Sequence, residues 1–208
     1  MRGLASLALL AAVLVAGRAA SASDGVPPPP LARVDATGYV YFVPNAPDFG
    51  MGIASGDLHW LHLEGRYNYE ALRTGSAFVG LTGRWGRRVQ LSLTPMAGAA
   101  FGRLDGFVPA LRATVTWWRF FLWTEPQVLV RVGGSGQTFF YNWTEVGFAL
   151  GGLRFGAVAQ RTQVFETSLA FQRGLFGGIS LGPFNATLYE YNWGWQKPTF
   201  VGALGVAL

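Results

Sequence analysis

The sequence predicts an all-β fold: an antiparallel, up-and-down transmembrane β-barrel of roughly ten to twelve strands. Three observations carry that prediction. Charged residues make up only 13% of the 208-residue chain while aromatics make up 15%, which is about half the charge of an ordinary soluble domain. Beyond residue 22 no apolar run reaches the roughly 18 residues a membrane helix requires. Polar and apolar residues instead alternate with period two in segment after segment, as strands with two unlike faces demand.

The opening segment stands apart from this pattern. Arg2 is a short basic region, Leu4 to Ala16 is an almost unbroken apolar run, and Ala20-Ser21-Ala22 offers small residues to a signal peptidase. Residues 1–22 therefore read as a secretory signal peptide cleaved after Ala22, too short to anchor comfortably. Residues 23–34 hold Pro27 to Pro30 in a row, a stiff extended linker. The rest, 35–208, reads as one barrel, with no internal repeat and no compositional shift. Without Arg2 and Arg18 the chain carries 14 basic and 11 acidic residues, and Lys197 is its one lysine. That balance makes no case for nucleic acid. With no cysteines, an exported chain of this size relies on its core or on sheet closure.

The clearest strand is 61–70, with Leu61, Leu63, Tyr67 and Tyr69 facing one way and His62, Glu64, Arg66, Asn68 and Glu70 the other. Segments 77–85 and 89–96 set Val79, Leu81, Trp85, Val89, Leu91 and Leu93 against Thr82, Arg84, Gln90, Ser92 and Thr94. Segment 111–117 sets Leu111, Ala113, Val115 and Trp117 against Arg112, Thr114 and Thr116. Segment 123–132 sets Val128, Val130 and Val132 against Glu125, Gln127 and Arg131. Further strands are expected near 138–150, 153–165, 168–180, 184–193 and 198–208. A short pair within 35–57 makes the count twelve, and its absence makes it ten. Tight connections at 86–88, Arg119, 151–152 and 182–183 alternate with looser ones near 71–75, 103–107, 133–137 and 194–197, as periplasmic turns and external loops do.

Alternation alone does not say which face meets lipid, because a soluble lipocalin-like barrel alternates too. The polar phase is rich in Gln, Ser, Thr and Arg and lacks the lysines of a water-exposed surface. Aromatics gather near strand ends: Trp85, Trp117, Trp118 and Phe155 on the turn side, Tyr67, Tyr69, Phe101, Phe140 and Tyr189 on the loop side. That distribution matches interfacial girdles. The final strand carries Phe200, Leu204, Val206 and Leu208 on one face, close to the assembly signal of outer-membrane proteins except that its last residue is not aromatic. Arg161 and Arg173 fall on the apolar phase, where a lipid-facing arginine costs roughly 2–4 kcal/mol at mid-bilayer. A bulge that turns them inward would remove the cost.

The segments RYNYEALRTGS (66–76), TPMAGAAFG (94–102), FFYNWTE (139–145), QRT (160–162), QRG (172–174) and PTFVGALGV (198–206) resemble an uncharacterised family of bacterial outer-membrane β-barrel-like proteins. The resemblance implies one exported β-rich domain and no activity.

Chemistry is sparse. A Ser-His-carboxylate hydrolase would have to use His59 or His62, the only histidines, and no nucleophile motif surrounds any serine. Those histidines are three apart, on opposite faces of a strand, and the aspartates at 24, 35, 48, 57 and 105 do not cluster, so neither a metal site nor an aspartyl dyad is expected. No phosphate loop or cofactor motif is present. The candidate lumen lining is His62, Glu64, Arg66, Glu70, Arg84, Arg112, Glu125, Arg131, Glu145, Arg154 and Glu190, with Glu64 near Arg84 and Arg112 near Glu125 expected as pairs, because buried charges require partners. The expected role is a bacterial outer-membrane barrel, structural or narrow and channel-like, with membrane lipid and the assembly machinery as partners. The alternatives are a barrel enzyme acting on envelope lipid or peptide, and a soluble exported binding barrel.

Overall fold

A computed structural model describes residues 32–131, 138–161, 171–194 and 197–208. The expected signal peptide, most of the linker, Val132, the 133–137 loop and parts of the strands expected at 153–165 and 168–180 lie outside these. The described chain is a succession of antiparallel strands: β1 (Ala32–Phe42), β2 (Phe49–Leu58), β3 (Leu61–Tyr67), β4 (Thr74–Leu81), β5 (Gly83–Trp85), β6 (Val89–Gly102), β7 (Gly106–Trp117), β8 (Phe120–Arg131), β9 (Phe139–Leu150), β10 (Leu153–Arg161), β11 (Gln172–Leu181), β12 (Phe184–Tyr191) and β13 (Thr199–Ala207). Each pairs with the next in sequence except that β4 and β5 both pair with β6, and β1 pairs with β13, which closes the sheet. β4 and β5 are one wall element. Both pair with β6 in the same register, Gly80 opposite Met96 and Gly83 opposite Leu93, so the barrel has twelve staves.

Twelve is the upper of the two expected counts. The expected short pair within 35–57 is instead two full strands, and β1 starts three residues before the expected boundary at 35. Closure leaves no free edge along the wall, so every stave satisfies its backbone groups on both sides. The tight connections sit together at one end with Ala32 and Leu208. Gly151 (φ 57°) and Gly152 (φ 91°) form the two-residue hairpin between β9 and β10, a left-handed pair whose twist matches the strands it joins. Trp118 (φ 54°) and His59 (φ 55°) take the same conformation in the β7–β8 and β2–β3 turns.

The strand expected over 61–70 stops at Tyr67. Asn68 (φ 60°) and Arg73 (φ 60°) bend the chain. The Asn68 carboxamide fixes the bend, accepting from the Arg73 backbone N–H at 2.7 Å and donating to the Gly50 carbonyl at 2.7 Å. Asparagine tolerates this left-handed geometry better than most side chains. Tyr69, Glu70 and Ala71 consequently fold into the barrel and are buried.

The alternation of burial fixes the two faces. Outward positions include Leu63, Val79, Leu111, Leu122, Val146, Leu175, Leu188 and Leu204, all exposed, while His62, Glu64, Arg66, Thr94, Glu125, Gln127 and Glu145 are buried. Most of the strands' charge is inside and their apolar surface outside. Two expected girdle residues are corrected: Tyr69 and Tyr189 are interior, whereas Trp85, Trp117, Trp118 and Phe155 at the turn end and Tyr67, Phe101 and Phe140 at the loop end face out.

Candidate functional site: the charged interior

The interior has two unlike ends. Toward the loops it is filled. Tyr41, Met51, Tyr69, Trp143, Phe176, Tyr189, Tyr191 and Val201 form one buried cluster, and Phe78, Met96, Leu104, Val108, Leu129 and Tyr141 form another. Trp143 meets Tyr39, Tyr189 and Tyr191 edge-on, with ring centroids 5.8, 5.4 and 6.3 Å away, a favoured aromatic geometry. The space left among Tyr41, Met51, Tyr69, Asn142, Trp143, Gln160 and Arg161 is about 10 Å³, room for one water molecule at most. Toward the turns two cavities of about 370 and 520 Å³ share Arg33, Asp35, Thr37, Tyr39, Ile53, Thr114 and Trp123 as lining and so form one vestibule.

The first charged cluster lies at the inner end of that vestibule. Arg66, on β3, has a side chain with no solvent exposure. Its guanidinium is bonded to Glu64, donates to Gln127 Oε1 at 2.6 Å, and lies 2.5 Å from Glu125 Oε1 and 3.8 Å from Glu70 Oε1. Tyr69 and Phe78 lie against it, 4.5 and 4.2 Å from ring centroid to guanidinium carbon. Gly98 makes room for this: it is opposite Phe78 in register, and a Cβ there would fall 2.3 Å from the phenyl ring. Arg112, on β7, donates to Glu125 Oε2 at 2.6 Å and to Glu64 Oε2 at 2.5 Å. Its Nη1 is 3.4 Å from His62 Nε2, and His62 Nδ1 is 2.9 Å from Asp57 Oδ1. Glu70 accepts from Ser76 and, at 3.3 Å, from Gln127.

These bonds cross the lumen. Glu64 and Arg66 are on β3 and Glu125 and Gln127 on β8, with β4, β6 and β7 between them around the wall. The side chains therefore bridge staves that share no backbone bond. A second cluster sits on the other lobe. Arg154 donates to Glu145 at 3.1 Å, Thr187 at 3.0 Å and Tyr189 at 3.1 Å. Glu145 also accepts from Tyr189 at 2.8 Å and Trp143 at 3.2 Å.

Of the eleven candidate lining residues, His62, Glu64, Arg66, Glu70, Arg112 and Glu125 come together in the first cluster, and Glu145 and Arg154 in the second. Arg112 and Glu125 meet. Glu64 does not pair with Arg84: its partners are Arg66 and Arg112, and Arg84 is exposed where it lines the vestibule mouth. Arg131 is exposed at the end of β8. Glu190 is on the outer phase of β12, opposite Leu175 and Phe200, because Tyr189 and Tyr191 take the inward positions there. Arg161 and Arg173 also keep the outer phase, with no bulge to turn them in, and lie at the loop ends of β10 and β11. Asp57, Gln127, Ser76 and Tyr189 are partners the sequence reading missed. Two had a usable signal: Gln127 by its place on the polar phase beside Glu125, and Asp57 by its place opposite His62 across a tight hairpin.

Among the described residues no group of His, Asp and Glu is arranged to hold a metal ion. His62 and Asp57 form a dyad, but the groups that close around it are Arg112 and Glu64, and no serine hydroxyl bonds to His62 among the described contacts.

No protein-family model matches the chain, and no curated protein matches it. Among solved structures it is similar to three Pseudomonas aeruginosa proteins. OccK5 (OpdH) aligns with TM-score 0.43 at 10% identity, over 82% of this chain and 62% of that one. OpdQ aligns with TM-score 0.40 at 11% identity, over 81% and 57%. OccK2 (OpdF) aligns with TM-score 0.38 at 13% identity, over 82% and 60%. The chain spans about three fifths of the length of each.

Proposed function

We propose that the chain is a bacterial outer-membrane barrel, narrow and channel-like in form, with a lumen held shut at its loop end and a vestibule that opens at its turn end toward the periplasm. The observation that carries the reading is the distribution of the two faces: paired charges in the interior and an exterior that is apolar on most outward positions, with Arg161, Arg173 and Glu190 near the loop ends of β10 to β12. In water such an exterior would far exceed the few hundred Å² of contiguous apolar surface a soluble monomer exposes. A soluble binding barrel places its apolar face inward instead. Membrane lipid is the partner this surface suits, and the alternating last strand suits the assembly machinery. The opening segment supports export, with Ser23 as the first residue of the mature protein.

The paired interior argues against steady conduction. A selective pore lines its constriction with one sign of charge. Here Glu64, Glu70 and Glu125 are bonded to Arg66, Arg112 and their neighbours, and aromatic packing fills the loop end. The protein should need detergent for extraction and should migrate differently on gels before and after boiling. In a planar bilayer it should pass little steady current, with weak cation-versus-anion preference. A large, strongly selective current would refute the closed lumen, and release by osmotic shock without detergent would refute the membrane reading.

A further inference from the structure

The outer wall is not uniform. The outward positions of β13, β1, β2, β3, β4, β6 and β7 carry no charged, amide or aliphatic hydroxyl side chain. On β8 to β12 six outward positions do: Thr124, Asn142, Thr144, Arg161, Arg173 and Glu190. Asn142, Thr144, Arg161, Arg173 and Glu190 lie in the loop-side halves of β9 to β12, and Thr124 lies in the turn-side half of β8. Thr124 Oγ1 lies 2.7 Å from Thr144 Oγ1 and donates to Asn142 Oδ1 at 3.2 Å, and Asn142 Nδ2 donates to Thr144 at 3.0 Å. Asn142 is opposite Arg161 in register, and Ala159 is flanked by Thr144 and Arg173. The Arg161 guanidinium lies 5.9 Å from the exposed Phe140 ring.

An apolar groove of about 520 Å³ runs along the outer wall from this polar island toward the midplane. Ala157 and Ala159 of β10 are its floor. Thr144 and Val146 of β9 form one wall, Arg173 and Leu175 of β11 the other, and Phe171 and Trp193 stand at its loop end. The two walls are roughly 10 Å apart, two strand spacings, with small side chains between them. Glu190 is opposite Leu175 on β12, beyond the far wall.

We infer that this groove binds a phosphate-bearing lipid of the loop-side leaflet, with its phosphate on Arg161 and Arg173 and one acyl chain over Ala157 and Ala159. The inference rests on the membrane reading above. Guanidinium forks match phosphate oxygens geometrically as ammonium groups do not. Phe171 and Trp193 are of the type that settles at headgroup level, which puts the two arginines where phosphates lie. Asn142, opposite Arg161 in register, carries a polar side chain on to the neighbouring β9.

The test uses the full-length protein in dodecyl maltoside micelles, titrated with hexadecyl phosphate and read by native mass spectrometry. Hexadecanol and inorganic phosphate supply the chain alone and the headgroup alone. Each guanidinium near a lipid phosphate contributes about fivefold in affinity, so Arg161→Gln with Arg173→Gln should weaken retention roughly 25-fold. Ala157→Phe should also weaken it by filling the groove, while Ala99→Phe, on the outward face of β6, should leave it unchanged. All variants are first checked for the heat-modifiable folded band. Retention unaffected by the double arginine change or by Ala157→Phe overturns the site, as does equal retention of hexadecanol or displacement by inorganic phosphate. A protein soluble without detergent ends the parent reading and this one together, whereas a detergent-requiring barrel that fails the titration ends only this one.

Discussion

The two charged clusters use the same chemistry at different depths. Around Arg66, side-chain exposure is 0% for Arg66 and Glu64 and 2% for Glu125, whereas Arg154 is 33% exposed and its partner Glu145 7%. The topology differs as well. The Arg66 cluster reaches from β3 to β8, with β4, β6 and β7 between them around the wall, while the Arg154 cluster stays within β9 to β12 and its charged pair is on the adjacent staves β9 and β10. A dry ion pair that bridges distant staves has no substitute when one member is lost. A wet one between near neighbours has water on one side and backbone bonds on the other. The difference predicts a gradient of mutational cost, highest at Arg66 and lowest at Arg154, and each variant below tests one step of it.

Arg66→Ala should have the largest effect. It leaves Glu64, Glu70 and Glu125 facing one another with only Arg112 between two of them, and it empties the slot between Tyr69 and Phe78. Removing one member of a buried pair costs about 3–5 kcal/mol. The measurement is urea unfolding in lipid vesicles, followed by loss of the folded band on unheated gels. A cost no larger than that of Arg154→Ala would show that depth does not separate the clusters.

Glu125 and Arg112 come next. Each has a second partner, Arg66 for Glu125 and Glu64 for Arg112, but the Glu125 side chain is 2% exposed against 20% for Arg112, so Glu125→Ala should cost more than Arg112→Ala. The double variant should cost less than the sum of the two, by a coupling of about 1–3 kcal/mol. Equal single costs would mean that burial does not separate the two residues, and strict additivity would mean that the pair is not formed in the membrane.

The wall was legible in the sequence because its signal is local. Each stave repeats its own alternation: six of the expected segments match strands to within a few residues, and two more, 153–165 and 168–180, hold strands in their described parts. The second half of β6, Ala97 to Gly102, was missed because alanine and glycine blur the contrast between phases. Tyr69 and Glu70 continue the β3 alternation perfectly, so nothing in the periodicity reveals that Asn68 ends the strand. Glu190 was misplaced for the opposite reason. Its stave fills the lumen with Tyr189 and Tyr191, so polar no longer means inward there. The cross-lumen bonds were the least legible part. Arg66 and Gln127 are 61 residues apart, and only the number of staves and their stagger decide which side chains meet across the barrel. Arg112 and Glu125 were within reach because they share a hairpin.

Arg154→Ala should have the smallest effect, and the reason lies in what Glu145 keeps. Without Arg154 the Glu145 carboxylate still accepts from Tyr189 at 2.8 Å and from Trp143 at 3.2 Å, and the space vacated by the guanidinium opens onto the vestibule, so water can reach the freed oxygen. Arg154 is a third exposed, so its attraction to Glu145 is already screened in the folded barrel. The expected cost is about 1 kcal/mol, near the upper end for exposed pairs. Adding Tyr189→Phe removes the stronger neutral donor, and the combined loss should exceed the sum of the two single losses, since each donor covers for the other. The same urea titration reads both. If Arg154→Ala alone costs as much as Arg66→Ala, then water does not reach Glu145, and the vestibule is sealed at the turn end as firmly as the lumen is at the loop end.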